Sequence, residues 1–321
     1  MTLQAVGISD ITSELGQLSK FVQICTDLPE GTYTRDNLTK SVLEILGTKN
    51  LNSASRFVTI SEKFGLLENL EEVYRLSALG KVLVILAGSD RKVFAEPERN
   101  ILFIGIMHSP ARDQLLTLLQ SVSVEGSHGK RAVMKHFFSN DYVKRVWRPA
   151  VVNKNLRKLE EGEIPSFFQN KYGCLEHWLL DLQFLSADKD SRLLTSYGKR
   201  VLGNKASLQD EARFEMATLG IVYGFAERPF DFSVEKQHFL ALFKEGCAVF
   251  SGASGLIDMK ALRILLAIRF LRVGVLLTAN DFDSAVKQLS RDGIVDSVML
   301  GKDGKPAYLT LVNNPNSVRF A

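Results

Sequence analysis

Eight prolines, three cysteines and two tryptophans are all that 321 residues hold of these types. Such low proline, with 23 glycines, excludes a collagen-like or low-complexity chain. A composition that is 45% apolar and 24% charged fits a folded protein of one large or two to three ordinary domains. Cys25, Cys174 and Cys247 cannot close a disulfide framework, and the N-terminus lacks a basic stretch followed by an apolar run. Both features predict a reducing, cytoplasmic setting. No uncharged apolar run reaches the roughly 20 residues that span a bilayer. The most apolar window, 257–278, is interrupted by Lys260, Arg263, Arg269 and Arg272, and it reads as a buried helix with long basic side chains along its edge. No membrane partner is expected.

Catalytic signatures are equally scarce. The chain has no Gly-x-x-x-x-Gly-Lys-Ser/Thr phosphate loop, no dinucleotide fingerprint and no Gly-x-Ser-x-Gly elbow. The glycine-bearing stretch 246–255 lacks the strand and lysine of a phosphate loop and reads as a connection between helices. Cys174-x-x-His177 has the spacing of half a zinc site without a second pair, and His108, His128, His136 and His238 are scattered. Asp258-x-Lys260 and Asp303-x-Lys305 match an acid-x-lysine fragment of a magnesium nuclease, but the first sits at a helix cap and the second in a turn. The expectation is a non-catalytic protein without metal or cofactor.

What is present is a helical pattern punctuated by small hairpins. Helices are predicted over 12–25 and 34–46, and a third runs from Asn52 or Ser53 to Gly65. A short strand, a turn at 69–72 and a return through Val73, Tyr74 and Leu76 follow. The apolar runs 82–87 and 101–107 have strand or core-segment length, and periodicity does not choose between those options. Helices are further predicted over 111–121, 130–138, 142–159 with Pro149 dividing it, 174–185, 207–223 and 233–250. At 194–198, Leu-Thr-Ser-Tyr-Gly matches Leu-Ser-Ala-Leu-Gly at 76–80, so a hairpin and the same kind of exit is expected there too. Near the C-terminus Asp258 caps a helix. Thr278 and Asp281 resemble a capping box, and Phe282, Ala285, Val286 and Leu289 fall at i, i+3, i+4 and i+7. Two strands around Asp303-Gly304 then form a hairpin with Lys302 and Lys305 at its tip.

The order helix, helix, helix ending in Gly-Leu-Leu, hairpin, then Tyr-x-Leu-Ser-x-x-Gly resembles the winged-helix family of DNA-binding domains over 12–87, and again over 256–314. The resemblance implies a mostly α fold with small β-hairpins, in which tandem winged-helix-like modules are joined by a helical middle region. The implied domains are 1–90, 91–206 with a possible further unit, and 207–321. It also implies a third helix that enters a major groove beside a hairpin that reaches the backbone. In the first copy the solvent side of that helix offers Asn52, Ser53, Ser55, Arg56, Thr59 and Lys63. Glu68, Glu71 and Glu72 make its hairpin acidic, which suits a protein contact or an architectural role better than phosphate.

The strongest functional signal is local charge. Between 128 and 158, Lys130, Arg131, Lys135, Lys144, Arg145, Arg148, Lys154, Arg157 and Lys158 face one acidic residue, Asp141, a local net charge of +8 in a chain whose total is +4. Focused charge of this kind suits phosphate, because each neutralised phosphate releases condensed counterions. Phe137, Phe138, Tyr142 and Trp147 are interleaved and either stack on bases or pack inward. In the C-terminal copy Lys287, Gln288 and Arg291 point outward, where glutamine suits adenine and the cations suit guanine, although Asp281 and Asp283 oppose phosphate approach. The expected function is a non-catalytic DNA-binding or assembly subunit, chromosome-associated or cytoplasmic, with double-stranded DNA as partner and room for protein partners or a second copy. The alternatives are an adaptor in a multisubunit nucleic-acid-processing complex and a metal-dependent nuclease.

Overall fold

A computed structural model describes residues 13–87, 94–125, 128–147, 164–211, 213–251, 255–301 and 306–312. They form two compact units, residues 1–221 and 222–321, mostly helical with a few small strand pairs.

The first unit opens with a 3-10 turn, Ser13–Gly16, then α1 (Ser19–Asp27), α2 (Arg35–Ile45) and α3 (Leu51–Lys63). Thr34 caps α2 by accepting from Asn37 N, and Asn50 caps α3 by accepting from Ser53 N. Strands β1 (Leu67–Leu70) and β2 (Val73–Leu76) pair antiparallel around a two-residue turn in which Glu71 and Glu72 both have positive φ. Tyr33, between α1 and α2, exchanges backbone hydrogen bonds with Tyr74 and adds a one-residue third strand.

Ser77 then starts α4 (Ala78–Leu86), and α5 (Glu96–His108) follows. The apolar runs 82–87 and 101–107 are therefore helical. Over 101–107 α5 is buried on all sides inside the unit, which is why that run gives no periodicity. At Gly105 a Cβ would lie 2.5 Å from the Phe64 carbonyl oxygen, so the glycine sets how closely α5 crosses the end of α3.

Next come α6 (Arg112–Glu125), α7 (Lys130–Ser139) and α8 (Asp141–Trp147). Pro149 and the rest of the helix expected to reach 159 lie outside the described residues. α9 (Ser166–Asp181) begins a full two turns before the helix read from the sequence, directly after Pro165. Strands β3 (Leu185–Asp188) and β4 (Ser191–Leu194) and helix α10 (Ser196–Gly203) complete the expected second hairpin and exit. The span 207–223 is divided rather than one helix: α11 (Lys205–Gln209) stops where Asp210 turns extended, and α12 (Phe214–Tyr223) restarts beyond it.

The two hairpins of this unit are the same device 118 residues apart. Leu67 pairs with Leu76 as Leu185 pairs with Leu194. Ser77 N donates to Leu66 O at 3.0 Å as Thr195 N donates to Phe184 O at 3.1 Å. The Ser77 hydroxyl donates to Gly65 O as the Thr195 hydroxyl donates to Gln183 O, and each hydroxyl accepts from the glycine three residues on. Phe21, Phe57, Phe64 and Trp178 form a chain of ring contacts between the copies, and the Trp178 indole donates to Leu15 O at 2.7 Å.

The second unit contains β5 (Arg228–Pro229), α13 (Phe232–Phe250), β6 (Ile257–Asp258), α14 (Met259–Leu271), β7 (Val275–Leu276), α15 (Ala279–Arg291), β8 (Val295–Leu300) and β9 (Pro306–Leu311). β5 and β7 pair parallel, whereas β6, β9 and β8 form an antiparallel sheet in that order. The glycine-bearing stretch is only partly a connection, because α13 runs through Gly246 to Phe250. A Cβ on Gly246 would meet the Leu262 side chain at 2.3 Å, so this glycine lets α13 and α14 approach. Asp258 caps α14 by accepting from Lys260 N and Ala261 N. Thr278 and Asp281 form a reciprocal capping box at α15, whose Phe282, Ala285, Val286 and Leu289 are buried against a core built on Phe239, Phe243 and Phe270.

Candidate nucleic-acid interface

The basic segment begins on α7, whose inward face is apolar. Val133, Met134, Phe137 and Phe138 are buried, and the two phenylalanines pack on Phe168 and Tyr172 of α9. The aromatic residues Phe137 and Phe138 thus pack inward. Tyr142 is half-buried, and burial, reinforced by the nearby Asp113 carboxylate, raises its phenol to about 12. The alternation that buries these residues turns Arg131 and Lys135, four apart, outward on one side of α7.

Lys130 has a different task. Its ammonium lies 2.6 Å from Glu176 Oε2, and the other oxygen of that carboxylate accepts from Arg192 Nε at 2.8 Å. Glu176 on α9 is 1% exposed, so the two cations offset a carboxylate that has lost its water. Lys130 N also donates to Asp190 O in the β3–β4 turn. One residue therefore fastens the start of α7 to both α9 and the hairpin, and its charge is spent on Glu176.

Beside this anchor lies an open groove of about 760 Å3, lined by His128, Lys130, Arg131, Met134 and Lys135, by Ile164 and Gln169 at the start of α9, and by Asp190. Arg131 and Lys135 have no ion-pair partner among the described residues. On α8, Lys144 and Arg145 are exposed, and Lys144 is 4.0 Å from Asp141, a separation at which an exposed pair contributes little. Four cations are thus presented to solvent from two consecutive helices. Arg148, Lys154, Arg157 and Lys158 lie outside the described residues.

No protein-family model and no curated protein sequence matches the chain. Among solved structures, restriction endonuclease FokI is similar at a TM-score of 0.38 and 12% identity, over 92% of this chain. The chain spans 61% of the length of that structure.

In the second unit Lys287 and Arg291 are exposed on α15, whereas the Gln288 amide donates to Asp292 Oδ1 at 2.9 Å. Asp292 also accepts from Lys236 of α13, and these two hydrogen bonds hold its carboxyl below the usual range. Gln288 is accordingly engaged within the protein. Lys302 and Lys305 lie outside the described residues.

In the first unit the outer side of α3 is partly tied down, although Asn52 is exposed. The Arg35 guanidinium donates to Thr59 Oγ1 at 2.6 Å and to Ser55 O at 3.1 Å, with Glu62 3.7 Å away and the Tyr74 ring 5.4 Å below. Ser55 and Thr59, expected on the outer side of α3, are held by this clamp, and Ser53 is buried. Glu68 pairs with Arg75 in the hairpin.

Metal chemistry finds no assembly here. Among the described residues no three His, Cys, Asp or Glu side chains gather as ligands. Cys174 is buried and its thiol is pushed up by that burial, while His177 is exposed and lies against Gly16. Burial likewise raises Cys25 and Cys247 to about 12. Among the described residues no helix is long and apolar enough to cross a membrane.

Proposed function

We propose that this chain is a DNA-binding or assembly protein, without catalysis, built from tandem winged-helix-like modules that divide near 1–90, 91–206 and 207–321. The observation that carries the reading is the set of exposed cations Arg131, Lys135, Lys144 and Arg145 around and beyond the α7 groove. Phosphate contacts position a duplex without reading its sequence, so this surface serves as the sequence-independent grip. Arg148, Lys154, Arg157 and Lys158 would extend it, and Lys302 and Lys305 would add a contact from the C-terminal hairpin.

Support for the modules comes from strand and helix order. In the second unit α13, β6, α14, α15, β8 and β9 come in this order, with β7 inserted between α14 and α15, and the sheet is ordered β6, β9, β8. In the first unit α1, Tyr33, α2, α3, β1 and β2 repeat that order, with Tyr33 paired to β2. The Arg35 clamp on α3 and the acidic hairpin beside it favour a protein-facing or architectural role for this copy, which is how the assembly reading enters.

The test is the salt dependence of duplex binding. Replacing Arg131, Lys135, Lys144 and Arg145 by glutamine should weaken binding to unrelated duplexes by similar factors and lower the salt slope by about 0.9 for each phosphate no longer neutralised. An unchanged slope in the folded variant refutes this surface as the grip. Incubation with magnesium should leave the duplex intact; cleavage would replace this reading by the nuclease.

A further inference from the structure

We propose that the N-terminal half of α9 is a base-reading face and that the bases it selects are adenines. The inference rests on the nucleic-acid reading above and adds a site that the charge pattern does not mark. Ser166, Gln169 and Asn170 are exposed, and Gly173 is partly so, at spacings i, i+3, i+4 and i+7 that place them on one side of the helix. The other side carries the buried Phe168, Tyr172, Leu175 and Leu179. Gln169 lines the same groove as Arg131 and Lys135, so the polar face adjoins the cations that would hold the phosphates.

Among the described residues nothing requires a glycine at 173. Glycine weakens a helix interior relative to alanine, and the positive φ that would call for it is absent here. A Cβ on Gly173 would meet no atom within 4 Å, whereas one on Gly80 would stand 2.2 Å from a carbonyl oxygen. The bare backbone therefore leaves room on the outside of the helix, where a partner can come close.

The flanking side chains define that partner. An amide offers a donor and an acceptor side by side, which is the pattern that matches N7 and N6 of adenine in the major groove. Gln169 Nε2 donates one hydrogen to Ile164 O at 2.8 Å, which orients the amide and leaves its second N–H and its oxygen. The Asn170 amide has no partner among the described residues. The exposed part of this face carries no carboxylate, unlike α15 with Asp281 and Asp283 or α3 with Glu62.

A selection of full-length chain against random duplexes tests this, using the wild type, the double variant Gln169→Ala/Asn170→Ala, and Gly173→Leu. The wild type should enrich a motif containing adenines. The double variant should lose preference at one or two of those positions, by roughly 5- to 150-fold for each amide–adenine pair removed, with its salt slope unchanged. Placing 7-deazaadenine at those positions removes the N7 acceptor, and it should weaken the wild type and leave the double variant unaffected. Gly173→Leu should melt no lower than the wild type, keep salt-dependent binding and lose the motif. No motif from the wild type, or a motif that survives both variants, overturns the inference while leaving the phosphate grip standing. Loss of the grip is read separately, from the glutamine variants of α7 and α8.

Discussion

A methyl group added at Gly80 or Gly198 should unfold the hairpin exits. At Gly80 the new Cβ would lie 2.2 Å from Leu66 O, and at Gly198 it would lie 2.1 Å from Phe184 O, against the 3.4 Å at which ordinary contact begins. Relief requires the start of α4 or α10 to retreat from its hairpin by roughly 1 Å, because the obstacle is backbone and has no rotamer to change. That retreat stretches the bonds that make the exit: Ser77 N to Leu66 O at 3.0 Å and Gly80 N to the Ser77 hydroxyl at 3.0 Å, with their counterparts at Thr195. Overpacking costs about 1–3 kcal/mol. Loss of the cap costs about 1 kcal/mol more, and the higher helix propensity of alanine returns roughly 1 kcal/mol. The net expectation is about 1–3 kcal/mol for either Gly80→Ala or Gly198→Ala. For a unit of 221 residues this is roughly 2–12 °C in Tm. Gly203→Ala is the control, since a Cβ there meets nothing within 4 Å. Calorimetry or urea unfolding measures all three. A loss below about 1 kcal/mol at both Gly80 and Gly198 would refute the claim that these glycines are required by close backbone approach.

Four other outcomes are expected. Glu176→Gln should destabilise the first unit by about 3–5 kcal/mol, because it leaves Arg192 and Lys130 beside a site without charge, while Lys130→Gln should leave the salt slope of DNA binding near that of the wild type; a slope lowered as much as by Lys135→Gln would contradict the anchor role. Gln183 holds φ +59, where Gly65 stands in the first copy with φ +67, so Gln183→Gly should raise stability by up to about 1 kcal/mol in urea unfolding. His108, exposed at the end of α5 but packed edge-on against Phe214, is held below its usual value of 6.5, first by the partial loss of water around its ring and then by Arg112, against an opposing pull from Glu215. Its folded form is neutral where the unfolded form takes up a proton, so stability is lost as pH falls below 6.5, and an unfolding titration of His108→Gln should show a shallower loss over that window.

How much of this was legible depends on how far apart the deciding atoms lie in the chain. Capping and turn signals act within four residues, so Thr278 with Asp281, Asp258, and the hairpins at 67–76 and 185–194 could be read from the letters alone. The matching exits at Leu76-Ser77-Ala78-Leu79-Gly80 and Leu194-Thr195-Ser196-Tyr197-Gly198 belong to the same class. The amphipathic face of α15 is likewise written in its spacing, because half the helix meets water. α5 carries no such record. Over 101–107 it is surrounded by protein, so each of those positions is apolar or glycine, and the run by itself does not distinguish a helix from a strand.

Charge is where sequence and tertiary structure part most clearly. Composition marked the excess over 128–158, and a count cannot say which cations remain available. Lys130 is withdrawn by Glu176, 46 residues away, and Arg35 closes the face of α3 through Thr59, 24 residues away. The start of α9 escaped sequence reading for a related reason: its first turns expose Ser166, Gln169 and Asn170, which look like a loop until the buried side of the helix is known. Local hydrogen bonding is determined by the sequence itself, whereas ion pairing and the solvent side of a buried helix depend on what the fold brings near, and that is decided only when the chain closes on itself.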